Sequence, residues 1–325
     1  MTTWTPDEFA EAVDGLAPVA LRVAATLRIP DHIACGRTSP AEIAEAAGTD
    51  PDLLGRLLDF LACRGVVSRT EDGFGLTEYS VVLLDGHPAR LRAWLDQSGV
   101  GSRMDEAVRA LPQAVRTGKA PYPELYGTEF YADLAAAAEL GPSFDELRGA
   151  HAGEFVPELA ALDQFAVGSV VDVGGGTGTL AEALLAAHPS LRVTLVDLPA
   201  AVSAASKAIT SSRFTPVAQS FFEPLPPGAD VYTVVNVLHN WADEHAIRIL
   251  RGCRDAGPAT LVVERVTDEN DPRTMTAMDL RAFLLCGGRE RTVGRYQALG
   301  TAAGLVLTDV LALDCGLRVM RFGRG

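Results

Sequence analysis

The stretch Asp172-Val173-Gly174-Gly175-Gly176-Thr177-Gly178 follows an apolar run, Ser169-Val170-Val171, and precedes a helix-like segment opening near Thr179. A second apolar run, Val193-Thr194-Leu195-Val196, ends in Asp197. Strand, glycine turn, helix, strand and acid is the layout of a nucleoside site at the edge of a parallel sheet. Gly174, Gly175 and Gly176 let the chain turn where a Cβ would clash and let a ligand approach the backbone. The following helix offers unpaired N–H groups, and Asp197 can accept from both ribose hydroxyls. A dinucleotide fingerprint would want glycine at 179, where Thr179 stands, and Asp172 would set negative charge beside a pyrophosphate. The pattern suits a ribose-bearing ligand without a pyrophosphate better than NAD.

Working outward, strands are predicted at 169–173, 192–197, 231–237, 260–266, 305–312 and 317–322, with a further short one ending near Gln219. Helices are predicted at 180–188 and 244–254, the second burying Ala246, Ile249, Leu250 and Cys253 and capped by Asp243. This is a doubly wound α/β sheet whose ligands belong at the strand carboxyl ends. The first part of the chain is small and helical. Leu16–Leu27 has helical spacing. Ser39-Pro40-Ala41-Glu42 is a capping-box start, and Asp50-Pro51-Asp52 opens a helix with a stripe of Leu53, Leu54, Leu57, Leu58 and Leu61. Val66–Arg69 and Phe74–Thr77 flank Glu71-Asp72-Gly73, a hairpin signal. Three helices and a hairpin make a winged helix, a fold that often binds DNA. Residues 37–80, however, hold four arginines and no lysine against eight Asp or Glu, the wrong balance for phosphates. Residues 88–165 read as a helical connector with a loop at Pro121–Gly127. The expected division is 1–95, 96–165 and 166–325.

Composition is consistent with this. The 325 residues suffice for two domains, and 48% hydrophobic content can fill a core. A net charge of −14 argues against a nucleic-acid or anionic-membrane surface. The opening Met1–Glu8 is polar and acidic, unlike a leader, and no apolar run approaches the ~18 residues of a membrane span. Cysteines at 35, 63, 253, 286 and 315 show no C-x-x-C pairing and read as reduced core thiols of a cytoplasmic protein.

Three more segments extend the pattern: Ser220-Phe221-Phe222-Glu223-Pro224-Leu225-Pro226, Val237-Leu238-His239-Asn240-Trp241-Ala242-Asp243-Glu244, and Gly287-Gly288-Arg289-Glu290-Arg291-Thr292. With Asp172–Gly178 and Asp197, in this order and spacing, they resemble the class I S-adenosylmethionine (SAM) methyltransferases. Within that class the likeness is to the small-molecule O-methyltransferases of the caffeate and aromatic-polyketide tailoring type, including bacterial naphthoate O-methyltransferases, and it runs over nearly the whole chain. The resemblance implies a Rossmann-like methyltransferase domain preceded by a mainly helical winged-helix dimerisation domain. It implies a homodimer, a small aromatic hydroxyl-bearing substrate, and S-adenosylhomocysteine as product, without metal.

The resemblance also assigns residues. Asp172, Gly174, Gly175, Gly176, Asp197, Leu198, Ser220, Phe221 and Asn236 would hold the cofactor, with ribose on Asp197 and adenine near Ser220-Phe221. His239 would be the general base, oriented by Glu264 and Glu290. Phe130, Phe144, Trp241, Met278 and Asp279 would border the acceptor. A base is wanted because a phenol of pKa ~10 is protonated at neutral pH, and an imidazole of pKa ~6.5 can take that proton. Core packing remains the alternative for Phe221 and for Phe130, Tyr131, Phe144 and Phe155, and an arginine salt bridge for Glu290. His239, Asp243, Glu244 and His245 match no metal-ligand spacing. Ser220 and Asn240 stand where acids are commoner. Some members of the fold keep SAM yet hydroxylate, decarboxylate or catalyse pericyclic steps, often losing the histidine or its acids. An N or C acceptor also stays open.

Overall fold

The computed structural model describes residues 5, 10, 13–137, 139–267 and 271–325, with all their side chains but those of 150, 151 and 154. Of the polar opening segment, only Thr5 lies within the described residues. Two compact units divide the chain: Met1–Arg103 with Glu139–Ala150, and Met104–Ala138 with His151–Gly325.

In the first unit, helices Leu16–Thr26, Ile29–Ala34, Pro40–Ala47 and Pro51–Cys63 precede a hairpin of β1 (Val67–Thr70) and β2 (Gly73–Leu76). The capping box forms: Ser39 accepts from the Glu42 N–H, and the Glu42 carboxylate accepts from the Ser39 N–H at 3.1 Å. The core gathers Ala20, Ile29, Ile43, Leu54, Leu58, Leu61 and Phe74. The expected leucine stripe is narrower than the sequence spacing implies, since Leu53 is 67% exposed. Cys35 and Cys63 are exposed thiols rather than core ones; only Cys253 is fully buried.

The second unit carries β3 (Ser169–Val173), β4 (Arg192–Asp197), β5 (Phe214–Ala218), β6 (Val231–Val235), β7 (Ala259–Arg265), β8 (Leu305–Ala312) and β9 (Leu317–Arg324). They form one sheet in the order β5-β4-β3-β6-β7-β9-β8. β5, β4, β3, β6 and β7 pair in parallel, while β9 is antiparallel to both β7 and β8. The central strands are apolar on both parities because both faces are covered. Val170, Val193, Leu195, Val231, Leu261 and Val263 join one core with the helix Thr179–Ala187. Val171, Val196, Tyr232, Val234 and Val262 join another with the helices Asp243–Ala256 and Val293–Ala302.

Several details depart from the sequence expectation. Pro121–Gly127 is not all loop: Tyr122–Tyr126 makes a short helix, ended by Gly127 in the left-handed region. Met278 and Asp279 lie inside the helix Pro272–Cys286. Ala242, not Asp243, is the N-cap of its helix, without a side-chain cap. Phe155 does not depart from the expectation: the residue takes the core-packing alternative, buried in the cluster that holds Val170 and Leu195. No helix among the described residues is long and apolar enough to cross a membrane.

Candidate active site

β3 pairs with β4 on one side and β6 on the other, so the crossovers diverge at its carboxyl end. The glycine turn sits at that switch point, where open α/β sheets hold ligands. Gly174 has φ 75°, and a Cβ there would lie 2.8 Å from Val237 Cγ2; the position tolerates no side chain. Asp172 is 1% exposed and accepts from Thr233 Oγ1 at 3.1 Å. Asp197 braces the turn: one carboxylate oxygen accepts from the Gly176 N–H at 2.8 Å, the other from the Leu198 N–H at 2.7 Å. A carboxylate offers about four lone-pair directions, so both oxygens retain capacity for a ligand hydroxyl.

At the end of β5, the Ser220 hydroxyl accepts from the Phe222 N–H at 3.2 Å. Phe221 begins an aromatic cluster: its ring centroid lies 5.1 Å from Phe222 and 5.8 Å from Trp241, and Phe222 lies 4.9 Å from Trp241. A Cβ at Gly174 would sit 3.6 Å from Phe221, which places this cluster beside the glycine turn.

His239 sits on a 3₁₀ turn, Leu238–Asn240, just past β6. Asn236 enters the turn with φ 51°, a left-handed conformation that asparagine tolerates better than most residues. Its carbonyl accepts from Asn240 Nδ2 at 3.4 Å, a donor that an ionised Asp at 240 would lack. His239 Nδ1 lies 2.8 Å from Glu290 Oε1, with the imidazole 20% exposed and the carboxylate 1%. Glu264, at the end of β7, does a different job. Its Oε1 accepts from the Val237 N–H at 3.0 Å and the Leu238 N–H at 2.7 Å. One acid therefore holds the ring and the other the backbone beneath it. The segment 288–291 docks on the same turn: the Arg289 N–H donates to the His239 carbonyl at 2.8 Å, and a Cβ at Gly288 would run into that carbonyl. Asp279 accepts from the Glu290 N–H at 2.8 Å.

Burial pushes the Glu264 carboxyl up to about 7; His239 opposes this and the Glu290 charge adds to it. The buried Tyr296 phenol is pushed well above its usual range, first by desolvation and then by the Glu264 and Glu290 charges. A raised carboxyl pKa has a definite sign in stability. Below the usual 4.5 both folded and unfolded chains hold the proton, and no penalty exists. Between that value and about 7 the folded chain retains a proton the unfolded chain has lost, so stability falls as pH rises. Above about 7 the penalty reaches its full size, about 3 kcal/mol. Urea denaturation of wild type and Glu264→Gln at pH 5 and pH 8 is expected to show wild type incurring most of that penalty, about 2 kcal/mol or more, between the two. Parallel pH dependences would mean that Glu264 titrates normally.

Trp241 packs edge-on against Phe222, on the Phe221 side of the site. Phe130 is buried, its ring 5.2 Å from Tyr122 and 5.3 Å from Tyr131. Phe144 belongs to the first unit, half-buried, with the Arg148 guanidinium 5.9 Å from its ring. Met278 is half-buried, one residue before Asp279. Asp243 ion-pairs with Arg291 at 2.7 Å, and His245 packs 5.8 Å from Trp241. Among the described residues no group of His, Cys, Asp or Glu is arranged to hold a metal ion. Sequence reading missed Arg291 and Tyr296, both fully buried. The signal for Arg291 was its place directly after Glu290.

A glycine turn at the switch point braced by Asp197, with a carboxylate-held imidazole past the neighbouring strand, fits a class, the Rossmann-like methyltransferases that use SAM. Within it, the chain belongs to the O-methyltransferase family: the O-methyltransferase domain matches residues 108–306 and the O-methyltransferase dimerisation domain residues 11–86. It is a SAM-dependent O-methyltransferase. The chain is 43% identical, over 90% of its length and 91% of the relative's, to 2,7-dihydroxy-5-methyl-1-naphthoate 7-O-methyltransferase of Streptomyces carzinostaticus. It is 40% identical, over 90% and 82%, to aclacinomycin 10-hydroxylase RdmB of Streptomyces purpurascens. Among solved structures it resembles NcsB1, an O-methyltransferase from neocarzinostatin biosynthesis in complex with SAM and 2-hydroxy-5-methyl naphthoic acid. That likeness has a TM-score of 0.92 at 38% identity, covering 100% of both chains.

Proposed function

We propose that this enzyme methylates a hydroxyl of a small aromatic acid of the naphthoate type, with His239 as general base and without a metal. The observation that carries the reading is the 2.8 Å contact between His239 Nδ1 and the buried Glu290 carboxylate. A carboxylate accepts, so Nδ1 carries the hydrogen and Nε2 the lone pair. Nε2 then takes the acceptor's phenolic proton, and Glu290 stabilises the imidazolium that forms. Glu264 keeps the turn beneath the imidazole in place. SAM supplies an electrophilic methyl on its sulfonium sulfur. We assign its ribose to Asp197, its adenine to the side lined by Ser220, Phe221 and Trp241, and the backbone around Asp172, Gly174, Gly175, Gly176, Leu198 and Asn236 to the rest of its pocket. Met278 and Asp279, on the helix that reaches Glu290, border the acceptor. Residues 1–95 serve as the dimerisation region, 96–165 as the helical connector and 166–325 as the methyltransferase domain, giving a homodimer. The naphthoate enzymes among the relatives support the choice of substrate.

The hydroxylating relative makes a non-methylating step on the same fold the second reading. Calorimetry with SAM, followed by S-adenosylhomocysteine release over a panel of hydroxynaphthoates, separates the two. Turnover supports methyl transfer, and binding without release from any acceptor overturns it. Glu290→Gln keeps the size but removes the charge that meets the imidazolium. Its kcat is expected to fall about 10–100-fold, the value of one charge-assisted hydrogen bond. A variant within twofold of wild type would show that Glu290 does not orient the base.

A further inference from the structure

Arg291 is the largest fully buried side chain among the described residues, and its guanidinium is 0% exposed. A buried cation is costly unless each of its donors is met. Here five N–H groups meet five acceptor contacts. Nε and Nη2 donate to Asp243 Oδ1 at 3.0 and 2.7 Å, and Nη2 also donates to the Trp241 carbonyl at 2.7 Å. Nη1 donates to the Leu238 and Arg289 carbonyls, both at 3.0 Å. The Asp243 side chain is 44% exposed, so an ion pair alone would not require the guanidinium to be driven inside.

The carbonyls it reaches are informative. Leu238 and Trp241 bracket His239 and Asn240, so one planar group ties both ends of the turn that carries the base. The neighbouring residues hold His239 by its carbonyl and its ring. Arg291 alone among these contacts extends to Trp241, whose ring packs against Phe221 and Phe222. Resting on the cofactor assignment proposed above, we infer that Arg291 is a positioning residue that couples the adenine side of the cofactor pocket to the base. Filling the pocket against Trp241 and Phe221 sets the Leu238–Trp241 turn, and through it the His239 imidazole, before the acceptor reacts.

The test follows the imidazole directly and needs no acceptor. The chain has six histidines; histidine-labelled protein gives ring resonances by NMR, and His239→Gln identifies the relevant one. In wild type, saturating S-adenosylhomocysteine is expected to shift the His239 resonance and its titration midpoint. Arg291→Lys keeps the charge but cannot span three carbonyls and a carboxylate. It is expected to bind S-adenosylhomocysteine with the His239 response lost. Asp243→Asn, altered at the half-exposed end of the clamp, is expected to respond to an intermediate degree and serves if the lysine variant does not fold. An arginine with only a structural role would lower the melting temperature and leave the response intact. A wild-type response in either folded variant, or none in saturated wild type, overturns the coupling. Failure of wild type to bind S-adenosylhomocysteine would instead overturn the assignment beneath it.

Discussion

His239→Ala is expected to lower kcat about 1,000-fold at pH 7, within the span of a lost general base, while S-adenosylhomocysteine affinity stays within about twofold of wild type. The loss is confined to chemistry because the imidazole is held by Glu290 and the turn by Glu264, so removing the ring leaves the backbone contacts in place. Activity does not vanish, because positioning two reactants remains. The pH dependence should distinguish the base from a mere contact. Near pH 10 the phenol ionises by itself, and the gap between variant and wild type should narrow as that pH is approached. A variant within about tenfold of wild type at pH 7, or a gap independent of pH, would remove His239 from the mechanism.

Asp197→Ala is expected to raise the KM for SAM about 100–1,000-fold and leave kcat at saturation within a fewfold of wild type. The side chain is asked to do two things. It braces the glycine turn through the Gly176 and Leu198 N–H groups, and in the proposed complex it accepts from the ribose hydroxyls. Hydrogen bonds to a charged group contribute about 1.5–3 kcal/mol each, so losing two near the lower end of that span gives the expected range. The effect falls on KM because the ribose is bound equally before and during reaction. Asp197→Asn, which keeps one acceptor oxygen, should lie between. Unchanged affinity in the alanine variant would place the ribose elsewhere.

What was legible in the sequence was set by local spacing. Gly174, whose left-handed φ excludes a side chain, and Asp197, one strand later, announce the braced turn on which the proposed pocket rests, because strand, turn and helix lengths leave little choice. The His239–Glu290 pair was readable as a pair of motifs, but not the division of labour between Glu290 and Glu264. That depends on how β7 and the segment 288–291 approach the turn, which is long-range packing. Local rules misread Asp243 for the same reason. Helix statistics make it a cap, but a guanidinium 48 residues away in sequence captures the carboxylate. Arg291, like Arg289, is open to reading as a salt-bridge partner of Glu290, since a charge gives no sign in sequence that enough acceptors await it inside. Trp241 is expected from sequence to border the acceptor, and no local signal shows that its ring packs edge-on against Phe221 and Phe222.

The position of β9 in the sheet makes one flank of β7 depend on a pairing distant in sequence. It is the last strand in sequence, yet it lies between β7 and β8 and pairs with β7 from Ala259 to Arg265. β7 carries Glu264, which braces the turn under His239. A nascent chain can form the glycine turn and pair β3, β4, β5 and β6 early, because their contacts lie within segments already made. Its β7 lacks one flank until Leu317–Arg324 emerges, and non-local pairing of this kind forms slowly. With β9 unpaired, β7 would be flanked by β6 alone, and the carboxylate that holds the turn under His239 would stand on the edge strand of the sheet.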